Sequence, residues 1–209
     1  MTPSPADAER PEHGDVELPV INIRRERVEL GPIRRDLIPL YHRWANDFGY
    51  TRTTAAPGLT LTLEQQVSAY DSVVADGRNV SFVIYDRATG QPIGTTALDS
   101  IDHRHGTAEF SIGIGDESYR GKGYGTEAAR LVLDYAFTVL GLSNVMLVVY
   151  EYNGAGRRAY EKAGFREFGR RHGSRRMDGR LWDTIYMECL ADDFTSPVLG
   201  RIFAPDRPS

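Results

Sequence analysis

The chain has 209 residues, of which 41% are hydrophobic and 26% charged, with a net charge of −4. These values are typical of one globular domain and exclude wholesale disorder and fibrous repeats. Clustered Lys and Arg drive nucleic-acid binding, so the net negative charge disfavours it. No stretch approaches the roughly 20 apolar residues that span a bilayer, and residues 1–15 lack the apolar core of a secretory signal. We therefore expect a cytoplasmic protein that binds neither nucleic acid nor membrane.

Proline-rich, charged ends flank the middle of the chain. Residues 1–20 hold few apolar residues and are predicted to be a disordered tail. Residues 196–209 are predicted to form a C-terminal tail, although their apolar residues could dock on the body. The domain is then residues 21–195. The single cysteine, Cys189, lies in an apolar run and is predicted to be a buried strand residue.

The first half of the domain alternates between strand and helix patterns. Residues 27–32 alternate and end in Gly-Pro, which predicts a first strand. Asp36 is the predicted N-cap of a helix whose apolar face is Leu37, Leu40, Tyr41 and Trp44. Thr62, followed by Gln65, resembles a capping box for a second helix.

From residue 80 the hydrophobic period changes to 2, which predicts strands. Residues 81–85, 92–98 and 108–114 form three strands, and the turn formers between them predict an antiparallel meander. His103 and His105 fall in the second turn without a clear third ligand, so we predict solvated turn residues and no metal site.

The second half contains two helices and three strands. One helix follows a glycine-rich turn and ends at Gly141. Residues 145–150 are almost continuously apolar, as in a central strand. A helix over residues 155–163 and strands near 165–168 and 182–190 complete an α/β (α+β) fold, with a mixed, mostly antiparallel sheet and helices on both faces. Between the last two strands, six arginines over residues 166–180 predict a loop, which is either solvated or in contact with an anion.

The glycine-rich turn at residues 120–126 carries the clearest chemical signal. Three glycines at alternate positions, flanked by Arg120 and Lys122 and followed by a helix, bring backbone N–H groups and a positive helix end to one place. That arrangement predicts a phosphate site. The P-loop pattern fails because a glycine follows Lys122. A dinucleotide fingerprint fits formally, but the preceding meander is not the βαβ unit that it requires.

Residues 120–125 resemble the Arg/Gln-x-x-Gly-x-Gly/Ala motif of the GCN5-related N-acetyltransferase (GNAT) superfamily. Residues 153–165, from Asn153 to Phe165, resemble its second signature. Residues 179–187 are similar to the closing strands of the branch that contains ribosomal-protein alanine N-acetyltransferases and spermidine acetyltransferases. The resemblance covers about residues 27–190. It implies the GNAT fold, in which the sheet splays between its fourth and fifth strands, here residues 108–114 and 145–150.

The resemblance also implies acetyl-CoA as co-substrate, with its pantetheine arm lying in that gap. The residues implied to bind it are Ile112, Ile114, Arg120, Gly121, Lys122, Gly123, Tyr124, Gly125, Thr126 and Asn153. Many relatives have Ser three positions after the Asn, where this chain has Gly156. For Asn153, a purely turn-forming role is the alternative.

In the mechanism that the family implies, an amine attacks the thioester directly, so a base must remove its proton and the thiolate benefits from a donor. Tyr160 is the predicted donor, and a core aromatic is the alternative. Glu109 is the predicted proton acceptor, directly or through water, because a carboxylate on a covered strand would be costly without a role. An ion-paired structural carboxylate is its alternative.

Trp44, Asp47 and Tyr50 lie at the end of the first predicted helix and in the loop after it, where the resemblance implies the acceptor pocket. For Trp44, a core residue is the alternative. The acceptor is expected to be the primary amine of a protein N-terminus, a polyamine, an amino sugar or an antibiotic. A non-catalytic acyl-CoA-sensing domain is the rival hypothesis, since it needs neither Tyr160 nor Glu109. A homodimer is expected only by analogy with relatives.

Overall fold

The computed structural model describes residues 18–54 and 58–206. Most of the predicted disordered tail, residues 1–17, therefore lies outside the described residues, as do the last three residues of the chain. Eight strands form the sheet: β1 Ile23–Arg24, β2 Val28–Pro32, β3 Val80–Asp86, β4 Pro92–Asp102, β5 Thr107–Ile114, β6 Asn144–Tyr150, β7 Arg166–Met177 and β8 Arg180–Leu190. The α-helices are α1 Ile38–Ala45, α2 Phe48–Thr51, α3 Leu63–Ala75, α4 Tyr124–Asp134, α5 Gly154–Ala163 and α6 Leu199–Ile202, and a π-helical segment, Tyr135–Val139, continues α4.

The strands form one mixed sheet in the order β1-β2-β3-β4-β5-β6-β8-β7. Neighbours pair antiparallel except β5 and β6, which are parallel. This arrangement confirms the predicted fold class. The sequence missed only the short β1 and underestimated the lengths of β4, β7 and β8.

The sheet splays between β5 and β6. Parallel pairing covers three positions and ends at Glu109 opposite Met146. Beyond that point β5 pairs only with β4 and β6 only with β8, among the residues that the structure describes. These strands are the predicted fourth and fifth, so the predicted splay is confirmed. It leaves a gap at the carboxyl ends of both strands.

Apolar side chains cover both faces of the sheet. The larger core lies beneath α4 and α5 and includes the fully buried Leu131, Val145 and Ile185. A smaller cluster beneath α1 joins Trp44 to Val83. Because alternate strand residues point to opposite faces, β3 contributes to both clusters. The gap between β5 and β6 therefore opens between two packed layers.

The predicted start of α1 is wrong. Leu37 is the N-cap, and no side chain caps the helix. Asp36 instead lies in a 3₁₀ turn and accepts two hydrogen bonds from the Arg34 guanidinium, at 2.7 and 3.0 Å. The predicted capping box of α3 is confirmed. Gln65 N–H donates to Thr62 Oγ1 at 3.3 Å, and Thr62 N–H donates to Gln65 Oε1 at 2.8 Å.

The arginine-rich segment is a strand and not the predicted loop. It forms β7, the last strand of the sheet, and pairs with β8 from Arg166 opposite Glu188 to Met177 opposite Arg180. The register shifts twice, between Glu167 and Gly169 and between Arg171 and Arg175. Charged side chains and bulges are common on edge strands, where they oppose pairing with another chain. The charge density that suggested a loop is therefore compatible with an edge strand.

Residues after β8 fold back onto the helical face. The buried Asp134 at the end of α4 accepts hydrogen bonds from Val198 N–H at 2.9 Å and Leu199 N–H at 2.8 Å, and Leu199 is buried. Cys189 is also buried, as predicted, and burial raises the pKa of its thiol to about 11.

Candidate active site

A cavity of about 1280 Å³ occupies the gap between β5 and β6. It extends from the glycine-rich turn before α4, past the start of α5, to the groove between α3 and the sheet. The cavity therefore reaches both faces of the sheet through the splay. Two reactants could enter it from opposite sides and meet in the gap.

The glycine-rich turn presents backbone donors to this cavity. Gly121 and Gly123 have φ of 72° and 92°, a region that other residues rarely adopt. Helix α4 begins at Tyr124, and its N-cap, Gly123, has no side chain to cap it, whereas α3 and α5 are capped by Thr62 and Asn153. The N–H groups of its first turn lack intrahelical acceptors. The turn has the geometry expected of an anion site, and the binding of a phosphate there stays a prediction.

The glycine-rich turn is anchored to Arg27 and to Val28, the first residue of β2. The Arg27 guanidinium donates to the Lys122 carbonyl at 2.7 Å. Glu127, in the first turn of α4, accepts from the N–H groups of Arg27 at 2.9 Å and Val28 at 3.1 Å. These contacts hold the turn in place without using the N–H groups of residues 121–126. Neither Arg27 nor Glu127 was singled out from the sequence.

Two predicted ligands use their side chains elsewhere. Tyr124 OH donates to Asp86 Oδ1 at 3.0 Å, and Thr126 Oγ1 donates to the Ala159 carbonyl at 3.4 Å. Their contribution to a ligand in the turn is therefore a backbone one. Gly125 faces open space apart from Ile114, which a Cβ would meet at 3.8 Å.

Arg120 lies at the start of the turn, but its guanidinium faces protein oxygens. Nε donates to the Ile114 carbonyl at 2.9 Å, and Nη2 donates to the Gly115 carbonyl at 2.7 Å and to Asp47 Oδ2 at 3.2 Å. The Ile114 carbonyl is thereby occupied as well. The side chains of Ile112 and Ile114 pack partly buried against the main core while both residues line the cavity.

Asn153 is the N-cap of α5. Its Oδ1 accepts from Gly156 N–H at 3.0 Å. This contact supports the turn-forming role and leaves the Asn153 Nδ2 donor group at the cavity wall. Gly156 lies directly against the side-chain amide of Asn153.

Tyr160 lies on α5 and lines the cavity. Its ring packs edge-to-face on Phe110 and Phe165, with both centroid distances 6.2 Å. Burial raises the pKa of its hydroxyl to about 12, and the phenol of Tyr50 contributes further. The group is therefore a protonated donor at neutral pH. Its packing is also that of a core aromatic, so the side chain fits both interpretations.

Glu109 lines the cavity where the two strands part. It lies opposite Asp99 on β4 and Met146 on β6. Its side chain is exposed, so the cost of burying a carboxylate, which suggested a role from the sequence, does not apply. What remains in favour of a role is its position at the point where β5 and β6 part, within the cavity lining.

The three predicted acceptor residues take different places. Trp44 is 6% exposed and packs against the backbone of Gly115, where a Cβ would overlap its indole, yet it also lines the cavity. Tyr50 on α2 lines the cavity, and its phenol fills the space that a side chain at Gly113 would occupy. Burial raises the pKa of Tyr50. Asp47 caps α2 by accepting from Gly49 N–H at 2.8 Å.

The structure adds residues that the sequence analysis missed. Arg158 and Lys162 lie four residues apart on α5 and line the cavity. Their helical spacing places both cations on one face and could have been noticed from the sequence. Gly113 and Thr95, opposite each other on β5 and β4, have no local sequence signal.

The described residues were compared with two further kinds of site, a metal site and a membrane-spanning helix. His103 and His105 lie in the turn between β4 and β5, and within residues 18–54 and 58–206 no cluster of three metal-ligand side chains occurs. Over the same ranges, none of the helices has the length and hydropathy to span a bilayer.

Comparison with known proteins agrees with this geometry. Residues 27–166 match the family described as Acetyltransferase (GNAT) domain. The chain is 34% identical to spermidine N(1)-acetyltransferase of Escherichia coli K12 over 138 residues, or 66% of this chain and 72% of that protein. It is 28% identical to mouse alpha/beta-tubulin-N-acetyltransferase 9 over 153 residues, or 68% and 63%.

The fold is similar to that of spermidine N-acetyltransferase from Vibrio cholerae, solved in complex with CoA and spermine. The TM-score is 0.74 at 25% sequence identity, covering 81% of this chain and 98% of that one. The chain belongs to the GNAT acetyltransferase family and is an acyl-CoA-dependent N-acetyltransferase.

Proposed function

We propose that this chain transfers the acetyl group of acetyl-CoA to a primary amine of a small, elongated cation of the polyamine type. The observation that carries the proposal is the single cavity that joins the uncapped N-terminus of α4, Tyr160 and Glu109. It brings an anion site, a neutral donor and a carboxylate to one gap. A CoA-sensing domain would need only the first of these.

The coenzyme would be held mainly by backbone. The N–H groups of residues 121–126 and the positive end of α4 suit its diphosphate. Arg158 and Lys162 on α5 line the same cavity and add positive charge. The edge of β5 that β6 leaves free offers peptide groups to the amides of the pantetheine arm.

The reaction requires three proton movements. Glu109 first takes a proton from the ammonium form of the amine, directly or through water, and the neutral amine then attacks the thioester carbonyl, so that the C–N bond forms and the C–S bond breaks. The acetylated nitrogen loses its second proton to solvent, and the departing thiolate takes a proton from Tyr160. The products are the N-acetylated amine and CoA thiol. Tyr160 recovers its proton from solvent, and Glu109 releases one.

The acceptor assignment depends on charge at the point where β5 and β6 part. Glu109 lines the cavity there, and Asp99 lies directly opposite it on β4, which concentrates negative charge at this side of the cavity. Two opposed carboxylates cost stability unless a cation lies between or near them. By their names, one relative acetylates spermidine and another acetylates tubulin. The pair of carboxylates favours a polycationic acceptor such as spermidine.

The experiment is a screen of amines with acetyl-CoA and thiol detection, run beside Tyr160→Phe. We expect turnover with polyamines above that with neutral primary amines, and loss of turnover in the variant at unchanged coenzyme affinity. Coenzyme binding without turnover of any amine would favour the sensing domain. Preference for peptide N-termini would reject the polyamine assignment but retain the reaction.

A further inference from the structure

We infer that Arg120 is a positioning residue for the acceptor-side helix α2 and not a ligand of the coenzyme phosphates; this inference rests on the proposed function. We use the term Arg120 clasp for the hydrogen bonds of its guanidinium to the Ile114 carbonyl, the Gly115 carbonyl and the Asp47 carboxylate. The sequence motif places Arg120 at the coenzyme turn, but the side chain reaches the end of β5 and Asp47, the N-cap of α2.

The Arg120 clasp uses the Nε and Nη2 donors of the guanidinium, so only Nη1 remains for a phosphate. Two of its three bonds go to carbonyls at the end of β5, at 2.9 and 2.7 Å, and the third is an ion pair of 3.2 Å. A planar guanidinium has a fixed set of donor directions, so these acceptors set its orientation. Releasing it towards a phosphate would leave the Ile114 and Gly115 carbonyls without these donors.

Asp47 connects the Arg120 clasp to α2. Its Oδ1 accepts from Gly49 N–H at 2.8 Å, while its Oδ2 accepts from Arg120. The first turn of α2 is therefore tied to the end of β5. After α2, the Arg52 carbonyl accepts from Tyr152 OH at 3.0 Å, which ties the segment to the loop after β6. Helix α2 thus bridges the two strands that part at the gap.

Tyr50 is the side chain that this bridge places in the cavity. The Arg120 guanidinium carbon lies 5.8 Å from the centroid of the Tyr50 ring, within cation–π range. The phenol of Tyr50 rests on Gly113, where a Cβ would overlap its hydroxyl. We call the space above Gly113 the Gly113 notch. The Arg120 clasp and the Gly113 notch together fix the Tyr50 hydroxyl on the acceptor side of the gap.

The consequence concerns amine binding. Without the ion pair, α2 is held at one end only, and Tyr50 leaves the Gly113 notch more often. The groove between α3 and the sheet is then less well formed, while the glycine-rich turn stays anchored through the Lys122 carbonyl and Glu127 to Arg27. Loss of the clasp should therefore raise the KM for the amine and leave the dissociation constant of acetyl-CoA unchanged.

The test compares Asp47→Asn, Arg120→Gln, the double variant and Asp193→Asn. Asparagine is as good an N-cap as aspartate, so Asp47→Asn removes the ion pair and keeps the cap. Asp193 pairs with Arg166 at the same N···O distance of 3.2 Å and lies outside the cavity lining, which makes it a matched control. We measure the amine KM by steady-state kinetics and the acetyl-CoA Kd by calorimetry.

For a partly exposed ion pair, we expect the amine KM to rise about fivefold in Asp47→Asn, with an acetyl-CoA Kd within about twofold of wild type. The double variant should be no worse than Arg120→Gln, because the pair is already broken. Asp193→Asn should match wild type in both constants. Weaker acetyl-CoA binding at unchanged amine KM in Arg120→Gln would overturn the inference and identify a phosphate ligand.

Hydrogen exchange of residues 48–52 gives a second readout that does not depend on turnover. We expect both single variants to raise exchange of these amides about fivefold, with no change in β3. Unchanged exchange in α2 would also overturn the inference. Failure of wild type to bind CoA would count against the proposed function alone, because the exchange result would still stand.

Discussion

The side-chain oxygen of Asn153 accepts the backbone N–H of Gly156 at 3.0 Å, and a Cβ at Gly156 would lie 2.6 Å from the Asn153 amide nitrogen. Glycine at this position therefore lets the asparagine fold over the first turn of α5. Glycine in place of serine at position 156 therefore does more than remove a side-chain contact. Here Asn153 caps the helix with its oxygen and retains its amide group for the cavity.

The two functions of Asn153 can be separated by substitution. Asn153→Ala should lower the free energy of unfolding by about 1 kcal/mol through loss of the cap. Asn153→Asp keeps a capping oxygen and should retain wild-type stability, but it loses the amide donor. If that donor contacts the coenzyme, acetyl-CoA affinity should fall about fivefold. Denaturant unfolding and calorimetry provide the two measurements, and wild-type affinity in Asn153→Asp would assign only the capping role.

Tyr160→Phe tests the proton donor. The ring packing on Phe110 and Phe165 would remain, so the fold and the coenzyme affinity should be unchanged. Loss of a general acid should lower kcat about 100-fold. Single-turnover thiol release measures this effect without contribution from product release. A kcat within twofold of wild type would leave Tyr160 as a core aromatic.

Tyr160 should also make stability fall at alkaline pH. Its pKa is raised from 10.0 to about 12 in the folded chain, so the unfolded chain loses this proton first as pH rises. The contribution is complete below pH 10 and is lost between about pH 10 and 12, by roughly 2 kcal/mol. Across that interval, the free energy of unfolding should fall less steeply with pH for Tyr160→Phe than for wild type. Identical slopes would contradict the buried hydroxyl.

Glu109→Gln tests proton removal from the amine. At neutral pH we expect kcat/KM for a polyamine to fall about tenfold or more. The deficit should shrink as pH approaches the pKa of the amine, because free amine then becomes abundant without a base. The pH profile of kcat/KM checks this. A constant deficit at all pH values would indicate a purely electrostatic contribution of Glu109 to binding.

Asp134 should control docking of the C-terminal segment. It is fully buried and accepts from Val198 N–H, Leu199 N–H and Thr138 Oγ1, the last at 2.9 Å. Asp134→Ala leaves these donors without an acceptor and should cost about 3 kcal/mol. It should also expose residues 196–206 to proteolysis. Asp134→Asn keeps one acceptor oxygen and should be intermediate in both measurements.

Local patterns predicted much of this fold. The meander, the capping box at Thr62 and the helix that ends at Gly164 all depend on neighbours in sequence, and all are present. The start of α1 and the strand β7 were wrong because tertiary contacts decided them. Asp36 found a partner in Arg34, and pairing with β8 overrode the charge density of the arginine segment.

The site was predictable to a similar extent. The glycines of the turn predict positive backbone φ angles directly, because glycine adopts them without strain. The direction of the Arg120 guanidinium depends on Asp47, 73 positions away, and the space that Gly113 leaves is filled by Tyr50, which is also distant in sequence. No periodicity encodes such contacts. The assignment of Arg120 to the coenzyme followed from its place in the motif, whereas its contacts lie with Asp47.

Calorimetric titration of CoA into wild type and Gly123→Ala tests the central claim most directly. The claim is that backbone N–H groups before α4 bind the coenzyme diphosphate. Gly123 has a φ of 92°, which alanine adopts only at a cost, so the substitution distorts the turn. We predict clear binding heat for wild type and at least about tenfold weaker binding for the folded variant. No heat with folded wild-type protein, or equal affinity in both, would contradict the account.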